Sequence, residues 1–191
     1  AEQGGNGNRL AVTDAVQRND FEVQELDPQR LLILGHSRGG GIAIVFASMD
    51  IHVKAIVTWS AISTFDRWTD HQKERWRRTG FLPLAKEGSI SPLRIGLELL
   101  NDLEQNGNRL NILNAAASLH IPWLLLHGKA DVIVHSREAE ALYAAANKTQ
   151  TDLVTLDHVG HLYNAASVEE DHYQTLDHIV GLTIHWLQRQ L

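Results

Sequence analysis

The stretch "LLILGHSRGGGIAI", residues 31–44, decides the fold of this chain. Four branched apolar residues lead to Gly35, and a second apolar run follows the three consecutive glycines that end at Gly41. Glycine is unfavourable inside strands and helices alike, so its repeated use here indicates a steric demand rather than a local preference. The pattern predicts a buried strand that passes through a tight turn at Ser37 directly into a helix.

The composition is typical of a single globular domain, which we expect to cover residues 1–191. Apolar residues make up 43% of the 191 residues and charged residues 21%, a balance that allows a sizeable core. The net charge of −6 disfavours nucleic acid and acidic lipid as partners. The chain has no cysteine and no apolar run of membrane-spanning length. Thiol chemistry is therefore excluded and the compartment stays open, with a cytoplasmic location slightly favoured.

Short apolar strands alternate with longer helical patterns along the chain. The predicted strands cover residues 31–34, 53–59, 122–127 and 153–156. The predicted helices cover residues 9–17, 42–49, 92–103 and 136–146, followed by a last helix with the apolar stripe Tyr173, Leu176, Ile179, Val180, Ile184 and Leu187. This alternation predicts an α/β fold whose mostly parallel sheet carries helices on both faces. Residues 60–119 hold no clear strand and are predicted to form a cap-like insertion over one end of the sheet.

The turn at Ser37 fits the pattern Gly-x-Ser-x-Gly, from Gly35 to Gly39, between a strand and a helix. In such a nucleophile elbow the serine occupies a strained turn that exposes its hydroxyl above the sheet. The flanking residues are small because strand and helix nearly touch. The amide of Arg38, at the start of the helix, is predicted to donate to an oxyanion. The alternative is a glycine-rich turn with an incidental serine.

A serine hydroxyl becomes a nucleophile only when a base takes its proton and an acid orients that base. Asp131 lies in "HGKADVIV", just after the third predicted strand, and His161 lies in "LDHVGHLY", just after the fourth. Active-site groups in parallel sheets collect beyond the carboxyl ends of the strands. The chain order Ser, Asp, His is also the order this architecture uses. We therefore predict Ser37 as nucleophile, His161 as general base and Asp131 as the orienting carboxylate.

Each of these assignments has a competitor. Asp157 is the rival acid, and Asp131 alone would suit the cap of the following helix. His158 and His127 compete with His161 as the base, but we expect His158 to face solvent or cap its loop and His127 to support the Asp131 turn. The sequence gives no metal-ligand pattern, so no metal and no cofactor are predicted. Three histidines of the last helix are expected at the surface: His172, His178 and His185.

These motifs resemble the α/β-hydrolase fold: "GHSRGG" its elbow, "HGKADVIV" its acid turn and "VGHLY" its histidine loop. "LDPQRLLILGHSRGGGIAI" together with "VTWSAISTFDRW" is similar to bacterial dienelactone hydrolases and prolyl-oligopeptidase-like esterases, and the resemblance covers residues 9–190. It departs at Val134-His135, where relatives commonly have Val-Pro, and at Val159-Gly160, where Gly-x-Gly is commoner.

The resemblance implies a serine hydrolase that cleaves a small-molecule ester or related acyl bond through an acyl-enzyme. Acyl transfer and peptide cleavage are alternatives on the same triad. A non-catalytic binding or scaffold protein is the alternative from another class. The candidate pocket residues, for which ordinary packing is the competing interpretation, are His36, Trp59, Phe65 and Trp68.

The family has strands before the elbow and a loop that supplies a second oxyanion donor, and neither is recognisable in the 36 residues before Ser37. We therefore expect the chain to correspond to the C-terminal two-thirds of such an enzyme. The outer edge of strand 31–34 would then be covered by an N-terminal segment or by another copy of the chain. On this interpretation the 191 residues alone would be weakly folded and inactive.

Overall fold

The computed structural model describes residues 30–84, 93–163 and 172–190, with the side chains of the last helix described from Gln174 onward. The helix predicted over residues 9–17 lies outside these ranges. Within them the strands are β1 (Leu31–His36), β2 (Val53–Trp59), β3 (Phe81–Pro83), β4 (Arg94–Gly96), β5 (Trp123–Gly128) and β6 (Thr151–Leu156). The helices are α1 (Arg38–Met49), α2 (Asp70–Thr79), α3 (Leu97–Gln105), α4 (Ile112–Ser118), α5 (Ser136–Ala145) and α6 (His172–Gln188).

The main sheet has four strands in the order β1-β2-β5-β6, and every neighbouring pair is parallel. The predicted α/β fold with a mostly parallel sheet is therefore confirmed. Because the strands are parallel, their carboxyl ends meet along one edge of the sheet. The loops that follow β1, β2, β5 and β6 all begin at this edge, which we call the carboxyl edge.

Helices cover both faces of the sheet and form two cores. On one face α1, α4 and α5 pack against β2 and β5, with Trp123 and Leu125 directed into this core. On the other face α6 packs on Leu124 and Leu126. This alternation buries β5 on both sides, as expected for a central strand of a parallel sheet. No helix within the described ranges combines the length and apolarity that a membrane span requires.

The strand predicted as buried over residues 31–34 is an edge strand among the described residues. None of the described strands is hydrogen-bonded to the side of β1 that faces away from β2. Its apolar residues are accordingly half-buried, and Leu34 is 49% exposed. The following helix begins at Arg38, as the elbow pattern predicted, and the apolar run from residue 42 continues it.

The prediction that residues 60–119 hold no strand is wrong. The segment contains a small antiparallel pair, in which Phe81 of β3 lies opposite Gly96 of β4. Each of these strands has three residues, too few to show an alternating pattern in the sequence. The helix expected from residue 92 consequently begins later, at Leu97. A cap role for residues 60–119 stays a prediction.

The apolar stripe predicted for α6 is partly wrong. Val180 is 37% exposed and Ile184 is 51% exposed, whereas the buried row consists of Ile179, Thr183 and Trp186. These three follow the i, i+4, i+7 spacing of one helix face, and Val180 and Ile184 lie about 100° further round the helix. Because threonine is polar, an apolar pattern does not include Thr183. The predicted stripe therefore combined Ile179 of the buried row with Val180 and Ile184 of the neighbouring exposed row.

Candidate active site

Ser37 occupies the sharp turn between β1 and α1, with φ of 55° and ψ of −120°. A positive φ is costly for any residue other than glycine, so surrounding contacts must hold the turn. The Ser37 N–H donates to the Trp59 carbonyl at 2.8 Å, and the Ser37 carbonyl accepts the Ile62 N–H at 3.2 Å. The end of β2 and the residues after it thus fix the backbone of Ser37 from both sides, which leaves its hydroxyl at the carboxyl edge.

The glycines around the turn permit this close approach, though not all of them as predicted. A Cβ on Gly35 would lie 2.3 Å from the Gly39 carbonyl oxygen, and one on Gly40 would lie 2.6 Å from the Ala61 Cβ. A Cβ on Gly39 would have no atom within 4 Å. The requirement for a small residue therefore holds at Gly35 and is wrong at Gly39, since the crowded position on the helix is Gly40.

The structure brings Ser37, His161 and Asp131 together in one hydrogen-bonded row. His161 Nε2 lies 3.0 Å from Ser37 Oγ, and His161 Nδ1 lies 2.8 Å from Asp131 Oδ2. The other carboxylate oxygen, Asp131 Oδ1, accepts the N–H groups of Ile133 at 2.9 Å and Val134 at 2.8 Å. Asp131 therefore shapes its own turn and at the same time contacts His161. It does not cap the following helix, whose N-cap residue is His135.

The environment of Asp131 keeps its carboxyl group charged. Burial of this 2% exposed residue would raise its pKa. The hydrogen bonds from His161 and from the amides of Val134 and Ile133 outweigh that effect, so the pKa of Asp131 lies below its ordinary value. A carboxylate that remains ionised beside an imidazole stabilises the imidazolium and selects the tautomer that carries its proton on Nδ1.

The rival acid Asp157 and the rival bases His158 and His127 lie outside the hydrogen-bonded row. Asp157 is exposed and pairs with Lys129 at 2.8 Å. His158 is also exposed, with φ of 60°. His127 is fully buried, donates from Nε2 to the Val134 carbonyl at 2.8 Å, and lies 3.6 Å from Asp131 Oδ2. It therefore supports the Asp131 turn, as expected from the sequence.

Arg38 is the first residue of α1, so its N–H has no acceptor within the helix. This is the amide expected to serve the oxyanion. The guanidinium carbon of Arg38 lies 5.5 Å from the ring centre of Trp68, which contacts the ring of Trp76 edge-on at 5.0 Å. Residues 60–119 thus reach the start of α1 through these aromatic contacts.

The other candidate pocket residues have contacts of their own. His36 Nε2 lies 3.0 Å from the His161 carbonyl oxygen, and its ring packs 4.7 Å from that of His161. Trp59 donates from its indole to Thr183 of α6 at 3.2 Å. Phe65 lines a cavity of about 290 Å³ whose lining does not include the hydrogen-bonded row. A role of these side chains in substrate binding stays a prediction.

Sequence reasoning missed two buried residues at the same edge, Ser60 and Tyr163. Ser60 directly follows β2, and Tyr163 lies two residues after His161. Their hydroxyl oxygens are 3.1 Å apart. The rule that functional groups collect at the carboxyl ends of parallel strands was the signal that could have singled them out. Across the described ranges, no group of three His, Asp or Glu side chains is arranged to hold a metal ion.

Two family models match different parts of the chain. The acetyl xylan esterase model matches residues 10–77, which include Ser37. The model of the serine aminopeptidase family S33 matches residues 83–164, which include Asp131 and His161. No curated protein matches the chain.

Several solved structures share the fold. The esterase domain of a Rhodothermus marinus protein is 23% identical with a TM-score of 0.55, over 90% of this chain and 66% of that domain. The α/β hydrolase GrgF from Penicillium sp. sh18 is 18% identical with a TM-score of 0.65, over 94% and 70% of the two chains. Est1E from Butyrivibrio proteoclasticus is 17% identical with a TM-score of 0.60, over 95% and 68%. The chain thus spans about two thirds of the length of these structures.

The parallel sheet, the serine elbow and these structural likenesses define an α/β hydrolase fold. The expected resemblance to serine esterases of this fold is confirmed by the family matches, which support hydrolase chemistry of the esterase type.

Proposed function

We propose that this chain is a serine hydrolase that cleaves an ester or a related acyl bond of a small molecule through an acyl-enzyme. The observation that carries the proposal is the row from Ser37 Oγ through His161 to Asp131, with contacts of 3.0 and 2.8 Å. A nucleophile, a base and an orienting acid within hydrogen-bond distance of one another are the arrangement that such a reaction requires.

In the first half of the reaction Ser37 Oγ attacks the carbonyl carbon of the substrate, and its proton passes to His161 Nε2. The oxyanion that forms accepts the Arg38 N–H at the start of α1. When the tetrahedral intermediate collapses, the bond to the leaving oxygen breaks and His161 returns the proton to it. An alcohol is released, and the acyl group remains on Ser37.

In the second half a water molecule replaces the alcohol. His161 Nε2 takes one of its protons while the water oxygen attacks the acyl carbon. The second intermediate collapses with cleavage of the bond to Ser37 Oγ, and His161 gives the proton back to the serine. A carboxylic acid leaves, and the charged Asp131 stabilises the imidazolium in both halves.

Residues 60–119 are proposed as a cap over this site. The contact between Arg38 and Trp68 supports this, as does Arg67, whose Nη1 donates to the two carboxylate oxygens of Glu138 at 2.7 and 2.8 Å. Glu138 stands in the first turn of α5, directly after the Asp131 turn. The segment is thereby tied to two elements that border the site.

Peptide-bond cleavage is the second candidate, because the S33 aminopeptidase model matches the part of the chain that contains Asp131 and His161. The experiment is a panel of chromogenic acyl esters of different chain length, together with aminoacyl anilides, tested on the wild type and on Ser37→Ala. Any ester turnover, and any labelling by a fluorophosphonate probe, that the wild type shows should be lost in Ser37→Ala. Alanine fits the turn without a new contact, so Ser37→Ala should keep its fold. Labelling that persists in this variant would place the nucleophile elsewhere.

A further inference from the structure

His36, the residue directly before the proposed nucleophile, contacts the backbone of the proposed base. His36 ends β1 and is half-buried. Its Nε2 atom lies 3.0 Å from the carbonyl oxygen of His161. A carbonyl oxygen can only accept a hydrogen bond, so His36 Nε2 carries a proton and donates it to this oxygen. The hydrogen bond therefore selects the tautomer of a neutral His36 and joins two residues that are 125 positions apart.

The ring of His36 also packs on aromatic rings of the loop after β6, residues 157–163, which we call the β6 loop. The ring centres of His36 and His161 are 4.7 Å apart, with their planes inclined by 41°. The ring of Tyr163 lies 6.1 Å from that of His36. Distances between about 4.5 and 7 Å are typical of aromatic rings in contact. His36 thus contacts this loop through one hydrogen bond and two rings.

The β6 loop depends on its surroundings because its backbone is strained on both sides of the base. His158 has φ of 60° and Tyr163 has φ of 53°, values that residues other than glycine rarely adopt. Such strain persists where neighbouring contacts impose it. The Ala130 N–H donates to the Val159 carbonyl at 3.0 Å, and the Tyr163 hydroxyl donates to the Leu126 carbonyl at 3.2 Å. Both hydrogen bonds tie the loop to β5 and the turn after it.

His36 ties the same loop to the nucleophile elbow. The backbone of Ser37 is held by its hydrogen bonds with the Trp59 carbonyl and the Ile62 N–H, so the ring of His36 extends from a fixed point. The His161 backbone is therefore held at a set distance from the residue that carries the nucleophile. A displacement of about 1 Å at this point would disturb the 3.0 Å contact between His161 Nε2 and Ser37 Oγ, and errors of that size slow catalysis strongly.

The two hydrogen bonds of the His161 ring do not fix its position by themselves. They run from Nδ1 to Asp131 and from Nε2 to Ser37, at opposite sides of the ring. The ring can still rotate about the line that joins its two nitrogens, and it can move with its backbone. The hydrogen bond from His36 opposes the movement of the backbone, and the packing of its ring opposes the rotation.

We propose that His36 is a positioning residue, which keeps His161 aligned between Asp131 and Ser37 by donating its Nε2–H to the His161 carbonyl. The sequence suggested His36 as a pocket residue, whereas in this role it acts through the base and not on the substrate. The effect of His36 on rate rests on the proposed function. Its effect on the geometry of His161 does not.

The test compares His36→Met with His36→Gln on the full chain, because these two side chains have the same length. The amide nitrogen of glutamine can take the place of His36 Nε2 as donor, whereas methionine has no donor. His36→Met should lower kcat about tenfold, the effect of losing about one hydrogen bond, with little change in KM. His36→Gln should keep kcat within about threefold of the wild type, since only the ring packing is then lost.

Two kinetic outcomes contradict the proposal. If KM rises while kcat stays at the wild-type value in His36→Met, the side chain belongs to the substrate pocket and does not position the base. If kcat falls equally in His36→Met and His36→Gln, the hydrogen bond to the His161 carbonyl is not what aligns the base.

His52→Met is the matched control. His52 Nδ1 lies 2.8 Å from Asp50 Oδ1, and the residue directly precedes β2, at the end of the sheet opposite to the carboxyl edge. The variant therefore removes a hydrogen-bonded histidine ring that has no contact with the hydrogen-bonded row. It should lower the melting temperature and leave kcat and KM as in the wild type. If His36→Met likewise lowers only the melting temperature, His36 is a structural residue and the proposal fails.

A readout without substrate separates this proposal from the proposed function. The low-field proton resonance of His161 Nδ1–H, which should disappear in Asp131→Asn, broadens when this proton exchanges faster with water. It should therefore broaden in His36→Met and stay as narrow as in the wild type in His36→Gln and His52→Met. If the wild type hydrolyses none of the esters, the proposed function fails while this measurement still decides the role of His36. An equally narrow resonance in His36→Met and the wild type overturns that role.

Discussion

The ends of β5 and β6 lie side by side at the carboxyl edge, and each has an aspartate and a histidine close by in sequence. Asp131, in the loop after β5, is buried with both oxygens bound, and His127, near the end of β5 itself, is fully buried. After β6, Asp157 and His158 face solvent. The same residue types therefore have opposite surroundings. The difference shows that a carboxylate can orient a histidine when its own hydrogen bonds hold it in place, and that a position just after a strand is not sufficient.

Exchanging the two carboxylates for amides should give the largest difference between the loops. Asp131→Asn leaves the side-chain shape intact but favours the wrong tautomer of His161, so kcat should fall by about 10,000-fold with little change in KM. Asp157→Asn is the matched control and should retain wild-type kcat. Steady-state kinetics on the best ester of the panel measures both. The reverse result, with Asp157→Asn inactive, would assign the orienting carboxylate to the β6 loop.

The pH dependence of the wild type tests the histidine of the same row. The neutral imidazole is the active base, so kcat/KM should rise about tenfold per pH unit through one ionisation and then level off. Asp157→Asn and His158→Ala should leave this profile unchanged, because both side chains lie in solvent. A profile that changes in His158→Ala would mean that the wrong histidine of the β6 loop had been assigned as the base.

Alanine variants of His127 and His158 should differ in their effect on the stability of the fold. His127→Ala removes a fully buried ring and its 2.8 Å hydrogen bond to the Val134 carbonyl, so it should lower the free energy of unfolding by about 2–4 kcal/mol. His158→Ala removes an exposed side chain and should change it by less than about 0.5 kcal/mol. Urea denaturation of both variants provides the comparison. Equal losses would show that His127 does not support the Asp131 turn.

The sequence was sufficient to locate Ser37, Asp131 and His161 because each follows a strand whose apolar run is unmistakable, and a parallel sheet brings such positions to one edge. The same rule also points to Ser60, which directly follows β2, but it does not predict the contact between Ser60 and Tyr163. Their contact joins residues 103 positions apart, and neither lies in a motif with a chemical signature. What fixes them is packing around the Leu126 carbonyl, which becomes visible only in three dimensions.

Two errors in the prediction of the fold can also be traced to particular residues. The strands β3 and β4 are three residues long, which is too short for an alternating apolar and polar pattern to predict them. In α6 the buried row includes Thr183, whose hydroxyl is used by Trp59. A hydrophobicity pattern alone therefore favours the neighbouring row with Val180 and Ile184. In both cases partners distant in sequence decide which residues are covered.

The smallest expected difference between the two loops concerns how much Asp131 and Asp157 each stabilise the fold at low pH. Comparing low and high salt concentrations should distinguish the two contributions. The pKa of Asp131 is lowered by His161 and the turn amides against the effect of burial, and that of Asp157 by its hydrogen bond and charge interaction with Lys129. A carboxyl group whose pKa is lower in the folded than in the unfolded chain stabilises the fold above its unfolded pKa of about 4, and this contribution is lost as the pH falls through the folded value.

Both aspartates should therefore contribute to the fall in melting temperature as the pH drops below about 4, and each Asn variant should flatten that fall. The Lys129–Asp157 pair is exposed, so about 1 M salt should screen its contribution away. The contacts of Asp131 are buried and should persist. Melting curves of the wild type, Asp131→Asn and Asp157→Asn at low and high salt measure this. If high salt makes Asp131→Asn and the wild type equally acid-sensitive, the Asp131 carboxylate is not held by buried hydrogen bonds and the contrast between the loops disappears.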